Sequence, residues 1–135
     1  MAHWLLKSDP DDYGFADLVR DKTTSWTGVS NPQALSFLRQ MKPGDDALIY
    51  HTGDDKCIMG MAKVTRAAYP DPNADDPKLV AVDLKVGRAA KTRITLAEIK
   101  ADPAFAEFLL VRNSRLSVMP VPAPLFKTLC AQCGL

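Results

Sequence analysis

Residues 47–67 read ALIYHTGDDKCIMGMAKVTRA, two largely apolar runs on either side of a polar, glycine-containing segment. Short apolar runs bounded by turn residues are typical of strands, so the pattern predicts strands at 47–51 and 58–67. A third strand is predicted at 79–86, because apolar residues occupy every second position from Val80 to Val86. Three consecutive strands therefore form the centre of the predicted fold.

Helices are predicted on both sides of these strands. Phe15, Leu18 and Val19 recur at helical spacing, and Asn31 is a good N-cap for a helix whose first residue is Pro32. The remaining predictions are a strand at 3–7, a surface loop at 69–77, a capping box at Thr95 and Glu98 before a short helix, a helix at 103–110, a strand at 116–121 and a helix at 124–133. This order lacks a regular β-α-β alternation and favours an α+β class. We expect a single domain at 1–135, with a small curved sheet or β-barrel flanked by short helices.

The composition is that of an ordinary soluble protein, with 47% hydrophobic and 24% charged residues. No apolar run approaches the roughly 20 residues of a membrane span, and residues 1–7 lack the apolar segment of a signal peptide. We therefore expect a cytoplasmic protein without a membrane partner. Cys57, Cys130 and Cys133 are expected to be reduced thiols. The CxxC spacing of the last two lacks a second pair, so neither a metal nor a cofactor is predicted.

Charge is unevenly distributed, although the net charge is only +1. Acidic residues predominate in 1–76 and basic residues in 77–135. Much of the basic excess comes from Lys85, Arg88, Lys91, Arg93, Lys100, Arg112 and Arg115. These side chains form either one surface for phosphates or solvated strand edges on which Lys and Arg discourage pairing. The sequence favours the two interpretations equally.

Trp26 is surrounded by small and polar residues in the segment 24–32. Such a tryptophan is either a plug with a buried hydrogen-bond partner or a flat wall on which a ligand stacks. Segments 7–10, 50–52 and 112–118 also place polar donors at the ends of predicted elements. If the four segments converge, they form a concave site with one aromatic wall, which suits a nucleobase.

In that arrangement Trp26 stacks on the base, and Ser8, Asn31 and the backbone of 28–29 bind its polar edge. Arg112 or Arg115 then contacts phosphate.

Each of these residues also has a purely structural interpretation. Ser8 can serve only as a turn former and Asn31 only as an N-cap. His51 is more typical of a satisfied core histidine than of a catalytic base, because no acidic partner is evident in the sequence. Arg115 can pair with a carboxylate such as Asp9.

Five motifs occur in order along nearly the whole chain. They are HWLLKSDP at 3–10, WTGVSNPQA at 26–34, IYHT at 49–52, AYPDP at 68–72 and RNSRLSVMPV at 112–121. Together they resemble the motifs of the EVE domain, a member of the PUA-like group of small β-barrel domains. The family's second motif has an acidic residue and an arginine where this chain has Thr27 and Ser30.

The resemblance implies a PUA-like fold related to the YTH readers of methylated adenine. It also implies a pocket for a modified nucleobase, notably a modified cytosine in DNA for some members. Carried across position by position, the pocket residues are Lys7, Ser8, Trp26, Gly28, Val29, Asn31, Tyr50, His51, Arg115, Leu116 and Ser117.

Three functions are consistent with the sequence. The first is a module that binds DNA or RNA, recognises one modified base and performs no bond chemistry. The second is a small hydrolase acting on a modified pyrimidine nucleoside, since the related ASCH group includes amidohydrolases; Lys7, Tyr50 and His51 would be its acid–base groups. The third is a protein-interaction domain without nucleic-acid affinity. The modification and the oligomeric state are not predicted.

Overall fold

The computed structural model describes residues 2–135, so Met1 of the predicted domain lies outside the described residues. One sheet contains the strands β1 (His3–Ser8), β2 (Thr23–Trp26), β3 (Asp46–His51), β4 (Cys57–Pro70), β5 (Val80–Thr95) and β6 (Val118–Pro120). The helices are α1 (Pro10–Tyr13), α2 (Phe15–Asp21), α3 (Pro32–Gln40), α4 (Leu96–Ala101), α5 (Leu109–Arg112) and α6 (Ala123–Cys133). The α+β class is confirmed. No helix within residues 2–135 is long and apolar enough to cross a bilayer.

The strand order is β2-β5-β4-β3-β1-β6. The β1–β3 pair is parallel and the other pairs are antiparallel. In the parallel register Lys7 lies opposite Tyr50, and Ser8 lies opposite His51. The carboxyl ends of β1 and β3 therefore meet at the same edge of the sheet, where the first and third sequence motifs become neighbours.

The sheet is strongly curved but does not close into a barrel, because β2 and β6 each pair on one side only. Register shifts interrupt the β4–β5 ladder at several points, and such bulges increase bending and twist. Phe15 of α2 packs directly against Gly60, where any Cβ would collide with the ring and lie 2.8 Å from the Arg88 carbonyl oxygen. A glycine at position 60 is therefore required for this close approach.

Several sequence predictions needed correction. Trp26 ends strand β2 and is not in a loop. β5 continues nine residues beyond the predicted end at 86, because residues 87–95 pair with β4 although they lack an apolar pattern. Val19 is 50% exposed, so it is not part of the buried face of α2.

The predicted helix at 103–110 is also wrong. A 3-10 turn at Pro103–Phe105 and the separate short helix α5 replace it. Asp102 caps the turn by accepting a hydrogen bond from the Ala104 N–H at 2.9 Å. Phe105 and Phe108 are both buried, with ring centroids 6.1 Å apart, so this segment is shaped by the burial of two aromatic rings.

Asp45 is the polar anchor at the opposite end of β1 and β3 from the paired motifs. Its carboxylate is buried and accepts hydrogen bonds from the Trp4 indole at 3.0 Å, the Lys42 N–H at 2.9 Å and the Ala2 N–H at 3.3 Å. Burial acts to raise the pKa of Asp45, but these hydrogen bonds outweigh it and hold the pKa below its ordinary value. The ionised carboxylate therefore stabilises the fold.

Asp45→Asn is expected to lower the free energy of unfolding by about 2 kcal/mol at neutral pH, because the amide cannot satisfy all the donors around it. A carboxyl group whose pKa is lowered on folding contributes stability above its ordinary pKa and loses it as the pH falls. The difference in free energy of unfolding between wild type and Asp45→Asn, measured by urea unfolding, should therefore shrink below about pH 4. Asp46→Asn is the control, since Asp46 makes only longer ion pairs with Lys63 and His3. An equal loss in both variants would contradict the prediction.

Candidate functional site

A cavity of about 410 Å³ opens between the end of β1, helix α1 and the end of β2. It is lined by five of the predicted site residues: Lys7, Ser8, Trp26, Gly28 and Val29. It is also lined by six residues that the sequence prediction missed: Asp9, Asp12, Tyr13, Thr24, Ser25 and Thr27. We refer to this space as the aromatic cavity.

The aromatic wall of this cavity contains two rings. Trp26 is only 8% exposed and belongs to the hydrophobic core, but its remaining surface faces the cavity. Tyr13 meets Trp26 edge to face, with ring centroids 6.4 Å apart and an interplanar angle of 89°. Such an arrangement fixes both rings. Trp26 is therefore a core residue that also lines the site.

Hydrogen bonds from β1 hold Tyr13 in place. The Ser8 hydroxyl donates to the Tyr13 carbonyl oxygen. The Asp9 carboxylate caps α1 by accepting from the Asp11 N–H at 2.9 Å. Both side chains therefore have structural roles at α1, and both also line the cavity.

Gly28 is fixed by a residue from a distant part of the sequence. Its φ of +79° is in the region that favours glycine, and its N–H donates to the buried carboxylate of Asp71 at 3.0 Å. The second Asp71 oxygen accepts from the Asn73 N–H at 2.8 Å. The Gly28 N–H is therefore not free to bind a base edge as predicted. The AYPDP motif contained this signal, because its fourth residue is Asp71.

His51 is buried behind the aromatic cavity and does not line it. Its Nε2 lies 2.9 Å from the Phe15 backbone nitrogen, which can only donate, so Nε2 accepts and the ring proton is on Nδ1. Nδ1 lies 3.1 Å from an Asp55 carboxylate oxygen and donates to it. The core-histidine interpretation is confirmed, and the acidic partner that sequence analysis missed is Asp55.

Lys7 and Tyr50 lie side by side at the strand ends. The Lys7 Nζ donates to the Ser114 carbonyl oxygen at 3.0 Å and lies 5.9 Å from the centroid of the Tyr50 ring. Burial lowers the pKa of Lys7 and raises that of Tyr50. Tyr50 and Lys7 both line a neighbouring cavity. The Lys7 backbone N–H donates to the Ser117 carbonyl oxygen at 2.9 Å.

Seven of the predicted site residues do not line the aromatic cavity: Asn31, Tyr50, His51, Arg112, Arg115, Leu116 and Ser117. Segment 112–118 nevertheless reaches β1, through the Ser114 and Ser117 carbonyl oxygens that accept from Lys7. Asn31 caps α3, accepting from the Ala34 N–H at 3.0 Å, and Leu116 is buried in the core. Arg112 is exposed and pairs with Glu107 at 3.6 Å. Arg115 is exposed, and the ion pairs within residues 2–135 do not include the predicted one with Asp9.

The two positions at which the chain departs from the resembled motif differ in location. Thr27 lines the aromatic cavity, whereas Ser30 is exposed and lies outside the lining.

The Cys130 and Cys133 thiols are remote from both positions in sequence. Burial raises the pKa of Cys133 to about 11, which disfavours the thiolate required for metal binding or redox exchange.

Residues 2–132 match the sequence model of the EVE domain. This chain belongs to the EVE domain family. It is 32% identical to human thymocyte nuclear protein 1 over 154 residues, which cover 89% of this chain and 68% of the human protein. It is 35% identical to the chicken protein, covering 89% of this chain and 64% of the relative, so it spans about two thirds of the length of these relatives.

Solved structures of EVE domains superpose on nearly the whole chain. A Rhodopseudomonas palustris protein has 40% identity and a TM-score of 0.93, covering 99% of this chain and 94% of that one. Human thymocyte nuclear protein 1 in complex with DNA containing 5-methylcytosine has 32% identity and a TM-score of 0.88, covering 98% of each chain. A YTH domain from Zygosaccharomyces rouxii shares the fold at 14% identity, with a TM-score of 0.61 over 96% of this chain and 84% of that one.

Asp71→Ala is expected to accelerate amide hydrogen exchange at Gly28 at least about tenfold, since a hydrogen bond to a charged group contributes roughly 1.5 to 3 kcal/mol. Asp75→Ala is the matched control, because Asp75 is an exposed aspartate of the same loop. Exchange is measured by NMR on both variants. Unchanged protection at Gly28 in Asp71→Ala would show that the carboxylate does not hold this segment.

Proposed function

We propose that this EVE domain binds nucleic acid carrying a modified base and that the aromatic cavity receives the base. The observation that supports the proposal most strongly is the human relative solved with 5-methylcytosine-containing DNA, which aligns with 98% of this chain. Two of the five sequence motifs, those at 3–10 and 26–34, contribute seven of the eleven residues that line the aromatic cavity.

The aromatic cavity has the size and surface that a flipped base requires. Its volume of about 410 Å³ is within the usual range for ligand pockets. Trp26 and Tyr13 supply a fixed apolar wall, and Thr24 and Thr27 supply hydroxyl groups. A base taken out of the stack is bound in this way, by aromatic contact on its faces and hydrogen bonds at its edge.

The carboxylate of Asp12 suits a base that carries an amino group. Asp12 lines the cavity, and its side chain has no hydrogen-bond or ion-pair partner within residues 2–135, whereas Asp9 is engaged in capping α1. A carboxylate accepts from the N4 amino group of cytosine and repels the O4 carbonyl of thymine. We therefore propose a modified cytosine as the preferred base.

A hydrolytic role is less well supported by the geometry. A general base needs a free lone pair directed at its substrate, but the His51 Nε2 is occupied by the Phe15 N–H. Lys7 donates to Ser114, and Tyr50 is buried with a raised pKa. We therefore propose a non-enzymatic binding role.

Trp26→Leu is expected to weaken binding of DNA containing 5-methylcytosine by roughly 5- to 150-fold, which corresponds to the loss of ~1–3 kcal/mol of base stacking. Leucine keeps the position apolar, and circular dichroism checks that the variant folds. Tyr13→Phe is the control, because it retains the ring and removes only the hydroxyl that bonds Asp21. Undiminished affinity in a folded Trp26→Leu protein would refute the base-pocket assignment.

Asp12→Asn is expected to reduce discrimination between 5-methylcytosine and thymine at the same position. The two bases carry the same methyl group and differ at the edge that Asp12 would contact, so wild type should prefer 5-methylcytosine by ~1–3 kcal/mol. The variant should lose most of that preference in a fluorescence-anisotropy competition. Asp11→Asn is the matched control, since Asp11 is exposed and outside the lining. Equal preference in wild type and Asp12→Asn would exclude this role.

A further inference from the structure

A second cavity of about 290 Å³ adjoins the aromatic cavity, and Lys7 lines both. Lys7, Lys56 and Lys100 line this second space, which we call the lysine cavity. Tyr50, Thr52 and Ser114 contribute hydroxyl-bearing side chains. No aspartate or glutamate is among its lining residues in the described chain.

Three separate elements bring the lysines together. Lys7 is near the end of β1, Lys56 is in the connection from β3 to β4, and Lys100 is on α4. The Lys56 carbonyl oxygen accepts from the Leu96 N–H at 2.8 Å, which ties that connection to the start of α4. Lys56 has a φ of +43°, a conformation that residues with a Cβ adopt only where the surroundings hold them. The position of Lys56 is therefore imposed by the fold.

These three positive charges lack partners of opposite sign. The ion pairs within residues 2–135 include none of the three lysines. The neighbouring acid, Asp55, instead accepts from the His51 imidazole. Burial lowers the pKa of Lys7, whose ammonium has the Ser114 carbonyl oxygen as its hydrogen-bond acceptor. Three lysines that line one cavity without a carboxylate produce a positive potential there, which attracts an anion.

We propose that the lysine cavity binds a phosphate group, namely the phosphodiester beside the base held in the aromatic cavity. This assignment rests on the proposed function. Charge supports it, because the aromatic cavity contains the carboxylates of Asp9 and Asp12, which repel phosphate, whereas the lysine cavity contains none. Lys7 lines both cavities, which places the proposed phosphate site next to the proposed base site.

The first test uses inorganic phosphate without nucleic acid, so its result does not depend on base recognition. In ¹H–¹⁵N NMR titrations against chloride at equal ionic strength, phosphate should shift the amides of Thr52, Gly53 and Ser114. The Lys56→Gln/Lys100→Gln variant should lose these shifts while keeping the rest of its spectrum. Absence of specific shifts in wild type would overturn the phosphate site.

Lys42→Gln/Lys127→Gln is the matched control, with the same change of charge. Lys42 precedes the amino end of β3 and Lys127 is on α6, so neither lines the lysine cavity. The control should keep the phosphate-induced shifts. Equal loss in both double variants would mean that net charge alone attracts phosphate, which would also overturn the site.

The second test identifies the source of the phosphate. Single neutral methylphosphonate linkages are placed at successive positions around 5-methylcytosine in an oligonucleotide. One position should weaken binding to wild type and have no further effect on Lys56→Gln/Lys100→Gln. That variant should also reduce the slope of log K against log salt by about 0.7 to 0.9, as expected for one lost phosphate contact. The phosphodiester assignment would be overturned if binding depended only on a terminal 5′-phosphate. It would also be overturned if no single methylphosphonate linkage weakened binding.

The two proposals fail in different ways. Trp26→Leu should weaken binding of the oligonucleotide that contains the modified base and leave the inorganic-phosphate shifts intact. If phosphate shifts the lysine cavity but no modified base binds, the proposed function fails and the phosphate site stands. If modified bases bind and phosphate shifts no amide at the lysine cavity, the phosphate site fails and the proposed function stands.

Discussion

β1 and β3 run parallel in an otherwise antiparallel sheet, so their carboxyl ends meet at one edge. An antiparallel pairing would place the end of β1 beside the start of β3 and separate Ser8 from His51. At the shared edge, Ser8 donates to the Tyr13 carbonyl oxygen and His51 accepts from the Phe15 N–H. These two hydrogen bonds fasten α1 and α2 to the sheet. The position of the Tyr13 ring, and therefore half of the aromatic wall, follows from the parallel pairing.

The other half of the wall depends on the curvature of the sheet. Trp26 is on β2, which three strands separate from β1 in the sheet, yet Trp26 and the end of β1 line one cavity because the sheet is curved. Gly60 allows Phe15 to pack closely against the sheet, since a Cβ there would collide with the ring. Asp71 then holds Gly28, the residue two positions after Trp26. Packing and one buried hydrogen bond thus bring the two edges of the site together.

Local patterns predicted the elements whose signals are local. The strands at 47–51 and 58–67 and the Asn31 cap depend on residues a few positions apart, and the structure confirms them. The second half of β5 was missed because its strand conformation comes from pairing with β4. The Asp71–Gly28 bond spans 43 positions and leaves no periodic trace. Tyr13 was missed since its helix has only four residues, too few for a helical pattern to show.

The two cavities share Lys7, and this has an energetic consequence for the proposed complex. Burial disfavours the charged form of Lys7, and a phosphate oxygen in the lysine cavity would restore it. A nucleotide that fills both cavities stacks on the aromatic wall and compensates that charge in one binding event, whereas a free base or free phosphate does only one of these. Because the base and the phosphate are covalently linked, once one of them is bound the contact of the other with its cavity is intramolecular. The arrangement therefore favours a modified base within a nucleic-acid strand over the isolated base.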